Sequence, residues 1–105
     1  MTDLEAILLS IVRDEGPCHG LDIGREAEQR SGRIVGAGSL YRALHRMEGA
    51  GFLTAYWEDR DTSESHRGPN RRYYQITGLG AIAVDEYLEQ LAKTARGVGM
   101  RLRPA

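Results

Sequence analysis

The chain has 105 residues, 41% of them apolar, and a formal net charge of -1; this suits one domain with a modest core and leaves apolar surface for an oligomer to cover. No apolar run approaches the roughly 18 to 20 residues that cross a bilayer, and an N-terminus acidic at Asp3 and Glu5 is unlike a secretory signal, so no membrane partner and a cytoplasmic location are expected. A lone cysteine, Cys18, excludes an intrachain disulfide and any multi-cysteine zinc site, and neither a metal nor another cofactor is expected.

Asp3 to Glu15 carries Leu4, Ile7, Leu8, Ile11 and Val12 at helical spacing and stops at Gly16-Pro17, which predicts a first helix. Ala6 and Leu9 widen its apolar stripe, so part of this helix is expected to face a second subunit. Cys18-His19-Gly20 reads as a turn, and a second helix follows from about Leu21 to Ser31 with Ile23 and Ala27 inward. A thiol beside an imidazole raises metal and redox readings, yet no second ligand pair stands at metal spacing and only His19 could activate the thiol. A small residue in a turn is the plainer role for Cys18, while His19 at a helix start could donate to a phosphate.

Ser31-Gly32 ends the second helix, and Arg33-Ile34-Val35 is a short extended link. From Gly36 to Gly51 the two faces of the predicted third helix differ. Leu40, Leu44 and Met47 recur at i, i+4 and i+7, while Ser39, Arg42, His45 and Arg46 fall on the other side. Gly36 and Gly38 suit a helix start that comes close to a ligand, and Gly51 is placed to end the helix in the left-handed conformation. An ordinary surface helix with solvated arginines has the same pattern; what favours a helix lying in a DNA groove is its setting. Gln29 to Met47 holds four arginines and no acid, and Ser65 to Val84 is a second acid-free run with Arg67, Arg71 and Arg72. Positive charge is thus segregated on a chain that is nearly neutral, which is what local phosphate contact needs.

After Gly51 the period changes. Phe52 to Asp59 and Arg71 to Thr77 are rich in aromatic and apolar residues, two strands of a hairpin whose connection, Arg60 to Asn70, is far longer than a tight turn. A long hairpin with a basic foot after such a helix is a wing, and Arg67, Arg71 and Arg72 could reach a flanking groove; Asp61 and Glu64 at its tip would point to solvent. Gly78 to Arg96 predicts a last helix with Leu79, Ile82, Ala83, Tyr87 and Leu91 on one row and Val84, Leu88, Leu91 and Ala95 on another. So broad a stripe either packs wholly on its own domain or lends one row to a dimer seam with the first helix, and the seam is the preferred reading. Leu8, Val84, Tyr87, Leu88, Leu91 and Ala95 are the residues expected there, against the partner or a small effector, and Gly97 to Ala105 is expected to be a frayed tail.

The expected fold is α+β, mostly α: a winged helix-turn-helix over 1–77, a C-terminal dimerisation helix over 78–96 and a tail over 97–105. Three stretches resemble one family. Pro17-Cys18-His19-Gly20-Leu21-Asp22-Ile23 is similar to the "PLHGYEI" signature of PadR-type transcriptional regulators. Gly38 to Glu48 resembles their "GTLYxALxRLE", and Arg72 to Gly80 their "KYYxLTxxG". The resemblance runs from Ile7 to Gly80 in order and spacing and fits the shorter branch, with a single C-terminal helix. It implies a dimer that represses transcription and releases its double-stranded DNA operator when a small hydrophobic molecule or another signal binds. It also implies DNA contacts at Ser39, Tyr41, Arg42 and Arg46, and a basic start to the second wing strand at Arg71 and Arg72. Two departures stand out: Arg42 follows the tyrosine where the family often has proline, and the only tryptophan, Trp57, lies in the wing strand rather than the last helix. A protein-interaction module that has lost DNA binding is the alternative. An enzyme is not expected, because no serine, histidine or acid sits in a recognisable catalytic setting.

Overall fold

The computed structural model describes residues 1–58 and 71–99. Its first helix, α1, spans Asp3–Glu15 and is closed at its start by a capping box in which Thr2 and Glu5 satisfy each other's backbone N–H groups. Asp3 and Glu5 sit at the positive end of the helix dipole, and Gly16, at φ 78°, ends the run. Ala6, Leu8, Leu9, Ile11 and Val12 are all buried. Much of this stripe, part of which was expected to face a second subunit, is used inside the protomer, because α1 packs against α2, α3, α4 and β3. Ala6, Leu8 and Leu9 are therefore core residues here, and Leu8 presents no side-chain surface to a partner.

Cys18–His19 forms a short strand, β1, and not the turn expected. Two residues carry no readable period, and only the partner strand shows them to be extended. The helix α2, Gly20–Ser31, ends at Gly32 in the left-handed region, with the Gly32 N–H on the Glu28 carbonyl. The next helix, α3, Ala37–Gly49, starts at Gly36 without a side-chain cap. Beyond Ala50, Gly51 at φ 81° gives its N–H to Glu48 and Phe52 gives its own to Met47, the paired bonds of a Schellman ending. The expected left-handed role of Gly51 is thus the observed one.

Leu53–Trp57 (β2) and Arg72–Ile76 (β3) pair antiparallel, each slightly shorter than the aromatic run that predicted it. β3 also pairs with β1, giving a three-stranded sheet in the order β1-β3-β2. The wing connection, with Arg67, Asp61 and Glu64, and the tail beyond residue 99 lie outside the described residues.

Helix α4, Gly78–Gly97, is capped by Thr77, whose hydroxyl accepts from the Gly80 N–H and donates to the Gly51 carbonyl. Val84 joins the common core and Tyr87 packs against it, so α4 shares one core with the winged-helix body. Ala95 is buried as well. Of the six residues expected at a seam, Leu8, Val84 and Ala95 are thus covered within the protomer, while Leu88 and Leu91, on the same stripe further along, remain exposed. Among the described residues no helix is long and apolar enough to cross a membrane. The architecture is a mostly helical α+β winged helix-turn-helix with one C-terminal helix.

Candidate nucleic-acid interface

Helix α3 divides as its periodicity predicts. Leu40, Ala43, Leu44 and Met47 are buried, and Ser39, Tyr41, Arg42, His45 and Arg46 are exposed. What seats the helix is a pair of glycines on α2. A Cβ on Gly20 would lie 2.7 Å from the Tyr41 ring, and one on Gly24 would lie 2.8 Å from a Leu40 methyl. Tyr41 therefore rests its ring on the bare backbone of Gly20 and stays 42% exposed, as its border position on the helix suggested. Gly38 has a local use: the Arg42 guanidinium folds back over it, within 3.1 Å of where a Cβ would stand. That places a positive charge beside the uncapped amides at the start of α3, a combination suited to phosphate.

The basic residues separate into free and tethered groups. Arg33, Arg42 and Arg71 make no ion pair with a described residue, and all three are exposed. Arg46 is half-exposed, with Nε 3.6 Å from Glu5 at the start of α1. Burial pushes the Glu5 carboxyl up, but hydrogen bonding with Thr2 and the Arg46 charge outweigh it and hold the group below its ordinary value of 4.5. Arg72 is held more firmly: its Nη2 lies 3.0 and 3.3 Å from the two Glu48 oxygens and its guanidinium stacks 5.1 Å from the Trp57 ring. Neither tether was anticipated from the sequence. The one available signal was Glu48 in the last turn of a helix, where a carboxylate opposes the dipole and calls for a cation.

His19 is not placed as expected. Its Nε2 is 3.0 Å from Asp22, its ring meets Tyr73 edge-on at 5.8 Å, and its side chain is mostly covered. The hollow it borders, about 370 Å³, is also lined by Glu15, Asp22 and Glu26, three carboxylates against the single cation Arg71 at its rim, a balance that disfavours a phosphate within it. The cause is β1: pairing His19 with Tyr73 turns the side chain along the sheet. Cys18 shares this hollow, gives its thiol proton to the Gly16 carbonyl and has its pKa pushed up by burial and by Glu15 and Asp22, the opposite of an activated thiol.

A second hollow, 240 Å³ and mainly apolar, runs between α1 and α4 and is lined by Asp3, Ile7, Ser10, Tyr87, Leu88 and Leu91 among others. The Tyr87 hydroxyl donates to Asp3 across its floor. Arg30 reaches its edge but is matched by Asp14, Glu15 and Glu26. Ile34, in the link between α2 and α3, is 93% exposed, a feature the link's extended pattern did not single out.

The transcriptional regulator PadR-like family model matches residues 8–86. Among solved structures, the chain is similar to a PadR family transcription regulator from Clostridium difficile at 26% identity and a TM-score of 0.73, over 92% of this chain and 94% of that one. A transcriptional regulator from Clostridium thermocellum matches at 23% identity and a TM-score of 0.74, over 90% and 88%. A PadR-like transcriptional regulator from Bacillus cereus matches at 23% and 0.72, over 91% and 87%. The last two likenesses speak for the fold. No curated protein matches the chain.

Proposed function

The chain belongs to the PadR-like family of transcriptional regulators, and on that premise we propose that it is a homodimeric repressor that reads its operator with α3. The observation that carries the reading is the division of α3: every large apolar side chain on it is buried except the border residue Tyr41, and the exposed face, free of acids, offers Ser39, Arg42, His45 and Arg46 beside uncapped amides. Arg42 is the side chain best supported as a reader of base edges, since it stands on the exposed face of α3 and makes no ion pair with a described residue. Arg71 at the wing root supplies a phosphate contact. Arg67 would add another.

The dimer reading rests on α4. Leu88 and Leu91 continue the stripe that Val84 and Tyr87 begin, past the end of the shared core, and a second copy would cover them. The adjoining 240 Å³ hollow then lies at the seam, with room for a small hydrophobic effector whose binding would alter the spacing of the two α3 helices.

The test is a salt titration of binding to a fluorescent duplex from the DNA just upstream of the protein's own gene, beside a scrambled duplex. Three phosphate contacts per subunit give a slope of log affinity against log salt of about -5 for a dimer. Tighter binding to the native duplex with that slope is the expected result. A slope near zero on both duplexes overturns the proposal, and Arg42→Ala should cost the native duplex more than the scrambled one.

A further inference from the structure

Two of the basic residues at the foot of the wing are neighbours in sequence and differ in circumstance. Arg71 is exposed and, though it borders the hollow of Glu15, Asp22 and Glu26, makes no ion pair with a described carboxylate. Arg72 is two-thirds covered, lies against both oxygens of Glu48 and stacks on Trp57, its cross-strand partner in the hairpin. Glu48 belongs to the last turn of α3, where a carboxylate opposes the helix dipole and is stabilised by a cation supplied from elsewhere. Glu48, Arg72 and Trp57 thus join α3, β3 and β2 in one stack. It ties the helix that lies in the groove to the base of the wing, and it neutralises one arginine at the position where a phosphate contact would be expected.

Resting on the DNA-binding reading above, we propose that Glu48 is a specificity-determining positioning residue: it withholds the Arg72 charge from the phosphate backbone and fixes the wing root against α3. Phosphate contacts are blind to sequence, so each free arginine raises affinity for every duplex alike and dilutes the discrimination that base-edge contacts supply. A carboxylate that cancels one of them therefore sharpens discrimination without touching a base.

The experiment measures salt slopes on the scrambled duplex for wild type, Glu48→Gln, Glu48→Asp and Arg72→Gln, with emission of Trp57, the only tryptophan, as a reporter of the stack. Glu48→Gln should steepen the slope by about 0.9 per bound subunit, so that raising salt from about 50 to about 200 mM costs it roughly 3.5-fold more affinity per subunit than it costs wild type. The same variant should leave Trp57 more open to iodide quenching. Glu48→Asp, which keeps the charge, should restore the wild-type slope, and Arg72→Gln should leave the slope unchanged. A purely structural role would move the melting temperature and not the slope. An unchanged slope in Glu48→Gln overturns the proposal, as does a slope shallower by about 0.9 per subunit in Arg72→Gln, which would make Arg72 a phosphate contact. Should Glu48→Gln fail to fold, the Arg72→Gln slope decides alone. A flat slope in wild type on every duplex overturns the DNA-binding reading itself, whereas a steep wild-type slope with an indifferent Glu48→Gln overturns this inference only.

Discussion

Gly80→Ala should unfold the protein far more readily than any other glycine substitution in its helices. Gly80 lies in the first turn of α4, and a Cβ built there would stand 2.2 Å from the Phe52 carbonyl oxygen and 3.0 Å from an Ile76 side-chain carbon. The carbonyl cannot retreat freely, because it accepts the Thr77 N–H at 3.1 Å, while the Thr77 hydroxyl holds both Gly51 and Gly80. The start of α4 must therefore lift off the β2 end of the sheet. Overpacking of this kind costs about 3 kcal/mol or more when the obstacle is backbone, against which alanine regains about 1 kcal/mol of helix propensity, for a net loss of roughly 2 kcal/mol. Gly49→Ala is the matched control. Also helical, with nothing within 4 Å of its added Cβ, it should gain about 0.5 to 1 kcal/mol. Urea unfolding followed by circular dichroism, at one fixed protein concentration, reads both midpoints. A Gly80→Ala midpoint at or above wild type would refute the steric argument, and equal shifts in the two variants would show that propensity alone governs both sites.

Other expectations follow from the same geometry. Thr2→Ala opens the capping box and should cost about 0.5 to 2 kcal/mol in urea at neutral pH. Glu5 has a lowered folded-state pKa, so its contribution is complete above its ordinary value of 4.5 and is lost as pH falls through the lower one; Glu5→Gln should flatten that part of the acid limb of stability against pH. Leu91→Asp, at an exposed position, should leave the monomer folded and shift a wild-type dimer to monomer in sedimentation equilibrium; an unmoved mass would remove α4 from the seam. Cys18, its thiol pKa raised by burial, should react with iodoacetamide several-fold more slowly than free cysteine at pH 8, about half a unit below a free thiol's pKa, and a faster reaction would reopen the redox reading.

The helices were legible in the sequence because each buries a face repeated at 3.6 residues and the first three end at a punctuating glycine: Gly16, Gly32 and Gly51 all take positive φ where the apolar rhythm stops. The exposed face of α3 was legible for the same reason, since a helix that buries Leu40, Leu44 and Met47 must present Arg42 and His45 on the far side. Periodicity says which side chains leave the core, and for a helix that is most of the geometry.

What periodicity cannot say is which distant residue waits where a side chain arrives. Two-residue β1 became visible only through its pairing with β3, and with it the place of His19, expected as a phosphate donor, beside Asp22 and Tyr73. The wide stripe of α1 is filled for the most part by several neighbours in one protomer, which a periodicity cannot tell from a second subunit. Arg71 and Arg72 are chemically identical and adjacent, yet among the described residues one has no ion-pair partner and the other is bound to Glu48, 24 residues away, because hairpin register and the angle of α3 bring one guanidinium to the carboxylate. The local pattern determined faces and boundaries, since those follow from backbone period alone; the pairing of charges was decided by the tertiary structure, since it depends on distances between elements that no local pattern encodes.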